Sequence, residues 1–140
     1  MEVSTPASGG FSIRISGYMP RAPFVFISST SDDLKKHREQ AALAARACGF
    51  ASIMMEDFAP TSHAPSLPAC LEKVAQAEVV IVLVAHRYGW VPDGPGNPDG
   101  KSITCLECEH ALGMSHPKEV LAFLVDPAHP RPVPSWFVTS

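Results

Sequence analysis

Four short apolar runs, each separated from the next by a helical stretch, constrain this chain more than any other feature. They are Phe24–Ser28 (FVFIS), Ala51–Met55 (ASIMM), Val79–Ala85 (VVIVLVA) and Val120–Val125 (VLAFLV). Each is continuous and rich in Val, Ile and Phe, the pattern expected of strands covered on both faces. A first helix is expected over Asp32–Cys48, with Leu34, Ala41, Ala45 and Cys48 on one face and Gly49 as its stop. A second covers about Ser66–Gln76 and carries Leu67, Leu71 and Val74, and a third covers Ile103–Ser115. Strand–helix alternation of this kind joins parallel strands by right-handed crossovers.

The chain has 140 residues, enough for one domain with a sizeable core. Charged residues make up only 18% and the mean hydropathy is +0.08, so the ordered part is expected to be compact and apolar. A net charge of −3, with Lys and Arg scattered rather than striped, leaves no footprint for nucleic acid. The longest apolar run, Val79–Ala85, is too short to span a bilayer. The opening MEVSTPASGG lacks the basic and apolar regions of a secretion signal, so the cytoplasm is the expected location. Residues 1–22 read as a flexible leader, 23–126 as the folded domain and 127–140 as a Pro-rich tail, a truncated linker of a longer protein. No fifth strand is convincing, although Trp136–Val138 could be a fragment of one. The excursion Val91–Lys101 (VPDGPGNPDGK) is either a lid or an uninvolved surface loop.

Cys105 and Cys108 have CxxC spacing, but no second CxxC and no HxxxH pair completes a zinc site, and no metal is expected. They follow a Gly/Pro-rich loop rather than a strand, unlike a redox dithiol, and read as reduced, partly exposed thiols. His37, His63, His116 and His129 form no constellation and read as surface residues.

Glu107 is the residue that asks for an explanation. On a helix over Ile103–Ser115, at about 100° per residue, Leu106, His110, Ile103, Met114, Glu107 and Ala111 share one arc of roughly 140°. Glu109 lies outside that arc, as a solvated carboxylate does. A carboxylate on an apolar stripe needs a partner, a raised pKa or a ligand, because uncompensated burial costs several kcal/mol. Thr104-Cys-Leu-Glu107 also spells a capping box, in which Glu107 bonds the Thr104 backbone. A helix starting at Ile103 or earlier breaks that box and turns Glu107 toward the sheet. Both readings stay open on the sequence.

A parallel sheet of at least four strands in a flavodoxin-like order 2-1-3-4 places its ligand crevice between the first and third strands. Ser28-Ser29-Thr30-Ser31 follows the first strand and His86-Arg87-Tyr88-Gly89-Trp90 the third. The hydroxyls of Ser28, Ser29 and Thr30, with free helix N–H groups, suit a phosphate or ribose, although Thr30 or Ser31 could equally serve as an N-cap. Arg87 could hold a phosphate, or pair with Glu107 or Asp32. Tyr88 reads as a roof over the core and Trp90 as the better stacking surface for a base or nicotinamide ring. Neither GxGxxG nor GxxxxGK[ST] is present.

The ordered set V-F-I-S-S-T-x-x-D-L (Val25–Leu34), Arg38-Glu39, Met55-Glu56-x-Phe58, Cys70-Leu71, Arg87-Tyr88-Gly89 and S-I-T-x-x-E-x-E-x-A (Ser102–Ala111) resembles a widespread domain of unknown function. That family typically precedes STAND-type ATPase, WD40 or TPR regions and is similar in fold to Toll/interleukin-1 receptor (TIR) domains. The resemblance runs from about Phe24 to Val125 and implies a TIR-like α/β sandwich acting in signalling or defence. It implies that Glu107 cleaves the nicotinamide–ribose bond of NAD, a substrate rather than a cofactor, and the crevice residues Ser28, Ser29, Thr30, Arg87, Tyr88 and Trp90 are then expected to bind the nucleotide. It also implies self-association, and a C-terminal ATPase or repeat domain as partner. Two other readings are a non-catalytic adaptor module and an enzyme resembling nucleoside deoxyribosyltransferases. The chain departs from the family pattern at Ser31, where an aromatic is usual, and at Cys105 and Cys108, where Glu and Tyr are commoner.

Overall fold

The computed structural model describes residues 2–4, 12–14, 21–30, 33–58 and 65–130. Two short strands, β1 (Glu2–Ser4) and β2 (Ser12–Arg14), pair antiparallel. The rest of the order is β3 (Phe24–Ser29), α1 (Lys35–Ala47), β4 (Ala51–Met54), a 3-10 turn (Met55–Asp57), α2 (Leu67–Gln76), β5 (Val79–Val84), α3 (Ile103–Gly113) and β6 (Glu119–Leu124). The last four strands form one parallel sheet in the order β4-β3-β5-β6, the expected 2-1-3-4 arrangement. Residues 5–11, 15–20 and 131–140 of the expected leader and tail, Trp136–Val138 included, lie outside the described residues, as do Ser31, Asp32 and His63.

The pleat sorts the central strand onto two cores, since successive side chains point to opposite faces. Val25 and Ile27 pack against Leu34, Ala42 and Ala45 beneath α1, with Leu83 of β5. Phe26 points the other way, to Val74 of α2 and Ala111 of α3, with Val80 and Val82 of β5. So α1 covers one face, and α2 with α3 covers the other.

Three expectations need correction. The first helix begins at Lys35 with Leu34 at its N-cap and no capping side chain, because Thr30 Oγ1 donates instead to the Asp33 carboxylate. Its inward stripe is Leu34, Arg38, Ala42 and Ala45; Ala41 is only partly buried, and Cys48 is exposed beyond the helix end. Finally, β6 is not covered on both faces. Among the described residues it is an edge strand, and Leu121, Phe123 and Leu124 are exposed, the last at 83%. Among the described residues, no helix is long and apolar enough to cross a membrane.

Candidate functional site

Ser28 follows Phe26 on the same pleat, so it faces α2 and α3, and it is buried at the carboxyl end of β3. The start of α3 decides the position of Glu107. Ser102 is the N-cap, its Oγ accepting the Cys105 backbone N–H at 3.3 Å. With Ile103 already helical, the Thr104 capping box cannot form. Ile103, Glu107 and Ala111 instead recur at four-residue spacing as the buried stripe of α3.

Glu107 is 3% exposed, and its carboxylate accepts a hydrogen bond from Ser28 Oγ at 2.5 Å. Burial pushes its pKa up from an ordinary 4.5 to about 7, and the Ser28 hydroxyl offsets only part of that rise. The buried Cys70 thiol on α2 is raised to about 12, first by burial and then by the charge of Glu107. Ser28 and Glu107 thus join strand and helix across a buried contact.

Arg38 organises the other side of the strand end. From α1, its Nη1 donates to the Thr30 carbonyl at 2.7 Å while Nη2 pairs with the Glu56 carboxylate in the turn after β4. This buried guanidinium ties the ends of β3 and β4 together and gives a physical role to two residues known in the sequence only as parts of a resemblance.

Thr30, Arg87, Tyr88, Ser102 and Cys105 line a cleft of about 300 Å³ at the carboxyl ends of β3 and β5. Thr104 and Cys108, the α3 neighbours that flank Glu107, also line it, but Glu107 itself does not. Tyr88 is 61% exposed at this cleft rather than roofing the core. Trp90 stands apart, in a groove with Pro65, Leu67 and Pro92. Ser29 takes the opposite pleat from Ser28, and its Oγ bonds the Thr30 carbonyl at 3.2 Å. His37 and His129 are in contact, ring edge to face at 5.0 Å, a pairing the sequence did not disclose.

Cys105 and Cys108 are free thiols, both partly buried. The Cys105 thiol is raised by burial and then by Glu109, which disfavours a reactive thiolate. The Val91–Lys101 excursion is tied to itself by Asn97, whose side-chain amide donates to the carbonyls of Pro92 and Lys101, both at 2.9 Å. Its Oδ1 accepts the Lys101 backbone N–H at 2.9 Å.

The loops after β3 and β5 meet at Gly89, which has φ +89°, and a Cβ there would stand 2.9 Å from Thr30 Cγ2. Gly89→Ala is therefore expected to cost about 1–3 kcal/mol, from a left-handed backbone and the displaced threonine. Thermal melting of the variant checks this, and an unchanged transition would mean that the two loops do not hold each other.

Residues 24–134 match the family described as Domain of unknown function (DUF4062), most of the chain. The chain belongs to that family. No curated protein and no solved structure matches it significantly. The family match spans β3 to β6, so the buried Glu107–Ser28 pair and the cleft both lie within the DUF4062 domain.

Proposed function

We propose that this DUF4062 domain is a TIR-like signalling or defence effector that binds NAD over the ends of β3 and β5 and cleaves its nicotinamide–ribose bond with Glu107. The observation that supports the reading is a buried carboxyl at the carboxyl ends of the central strands, held by the Ser28 hydroxyl, beside a cleft offering Thr30, Arg87 and Tyr88. In the proposed reaction the C1′–N bond breaks and its electron pair leaves with neutral nicotinamide. Water adds to C1′ of the oxocarbenium-like ribose and releases one proton. Ionised Glu107 stabilises the developing cation or takes that proton from water. With a pKa of about 7, the group is present in both forms near neutrality. Arg87 suits the pyrophosphate and Tyr88 the face of a ring.

Because Glu107 lies behind the cleft wall, the reaction needs α3 or the loop after β5 to shift, and association of several copies would supply that shift. The same closed geometry favours the second reading, an adaptor module in which Glu107 is only a structural link. Incubation of the chain with NAD in its assembled form separates the two. Nicotinamide release is expected, and Glu107→Gln is expected to lower it by about 10²–10³-fold while keeping the fold. Assembled wild-type protein that releases no nicotinamide would overturn the enzyme reading in favour of the adaptor.

A further inference from the structure

The exposed edge of β6 is self-complementary. Among the described residues β6 pairs only with β5, and its outer edge carries no strand. Val125 N–H donates to the Val84 carbonyl, so odd-numbered residues of β6 direct their backbone groups toward β5. Val120, Ala122 and Leu124 therefore present theirs outward. The segment Pro117–Pro127 reads P-K-E-V-L-A-F-L-V-D-P, and folding it back on itself about Ala122 opposes prolines at the ends, a Lys to an Asp inside them, and apolar residues at the centre. Pro117 meets Pro127, Lys118 meets Asp126, Glu119 meets Val125, Val120 meets Leu124, Leu121 meets Phe123, and Ala122 meets itself.

We infer that the partner of this edge is a second copy of the chain, joined through antiparallel β6–β6 pairing about a two-fold axis at Ala122, giving one eight-stranded sheet. The register is fixed by three independent requirements. Directly opposed residues must share a face, which admits only pairings of equal parity. The outward backbone groups of Val120, Ala122 and Leu124 then fall opposite one another and form about six hydrogen bonds. The Lys118–Asp126 pairing places opposite charges together at both ends, where a shift by two residues would separate them. Leu121 and Phe123 bring apolar surface to one face of the joint, and Val120 and Leu124 bring it to the other. Pro117 and Pro127 end the paired stretch, since neither has an N–H to extend it. Edges this apolar are otherwise protected by charge, proline or a covering segment, and within β6 only Glu119 is charged. This joint rests on the sheet edge and is independent of the chemistry assigned to Glu107.

Sedimentation of the full chain from about 1 μM to about 500 μM tests the joint, and a monomer–dimer equilibrium is expected. Lys118→Asp or Asp126→Lys alone opposes like charges at both ends and is expected to weaken dimerisation about tenfold. The double swap is expected to restore it, a rescue that loss of folding could not produce. Ala122→Pro removes outward N–H groups only, leaving the β5 ladder intact, and is expected to abolish the dimer while the monomer still melts cooperatively. Ala122→Cys places two thiols at the axis, about 5.5 Å between Cα atoms, and oxidation should yield a covalent dimer cross-linked at that residue in both chains. A chain that stays monomeric throughout, its edge bare or taken by residues 131–140, would overturn the proposal. So would a dimer indifferent to Ala122→Pro, or a double swap no better than either single one.

Discussion

Glu107→Gln is expected to change how stability depends on pH by about 3 kcal/mol. The folded-state pKa of Glu107 is raised to about 7 from an ordinary 4.5, so between those values the folded protein holds a proton that the unfolded chain releases. An acid shifted upward contributes fully below 4.5, loses its contribution as pH rises to about 7, and changes nothing further above that. At about 1.4 kcal/mol per pH unit the window amounts to about 3 kcal/mol. The amide is neutral throughout and can still accept from Ser28 Oγ, although its NH₂ lacks a carboxylate's geometry and offsets part of the gain. Urea unfolding of both proteins at pH 4.5, 6 and 8 is the measurement. The variant should gain on the wild type as pH rises, and parallel curves would mean that Glu107 ionises as freely in the folded protein as in the unfolded chain.

Phe26→Ala is expected to destabilise the domain by about 3–5 kcal/mol. Phe26 is fully buried on the central strand, hydrogen-bond neighbours flank it on β4 and β5, and its ring packs among Val74, Val82 and Ala111. Removing it leaves a cavity between the sheet and both α2 and α3, where no single element can move in to fill it. Against a typical total of about 5–15 kcal/mol, that loss would bring the variant close to unfolding at moderate urea. Leu43→Ala, on the outer side of α1 at 55% exposure, serves as the control and should stay within about 0.5 kcal/mol. Similar midpoints for the two variants would contradict the two-core description.

The strands were legible because the apolar runs are short, continuous and punctuated by helices, and their order followed from that alternation together with the family resemblance. Their β-branched content and spacing leave few other folds. The exposure of β6 was not legible, since a run such as VLAFLV has the same composition whether a neighbour covers it or not. The inward turn of Glu107 was half legible. Its angle on the helix was correct, but Thr104 and Ser102 are equally good caps in sequence, and one residue of difference decides which way the carboxyl points. Arg38 as a buried brace was missed. An arginine at the inward position of a helix stripe looks like a solvated residue until the carbonyl of Thr30 and the Glu56 carboxylate are seen to satisfy it. Tyr88, read as a roof over the core, stands exposed at the cleft, and Trp90 lies in a separate groove, because their placement depends on loop paths that side-chain type does not encode.

The loop between β5 and α3 closes at its own base, where Ile103 N–H donates to the Trp90 carbonyl at 2.8 Å and Asn97 ties the interior. An excursion fastened at one neck can be exchanged as a unit. Doubling the length of such a loop costs only about 0.6 kcal/mol in closure entropy, while the neck keeps the first turn of α3 in place. Replacing or lengthening the rim beside Trp90 therefore leaves the contact between Ser28 and Glu107 undisturbed. A single hydrogen bond divides the replaceable rim from the buried contact.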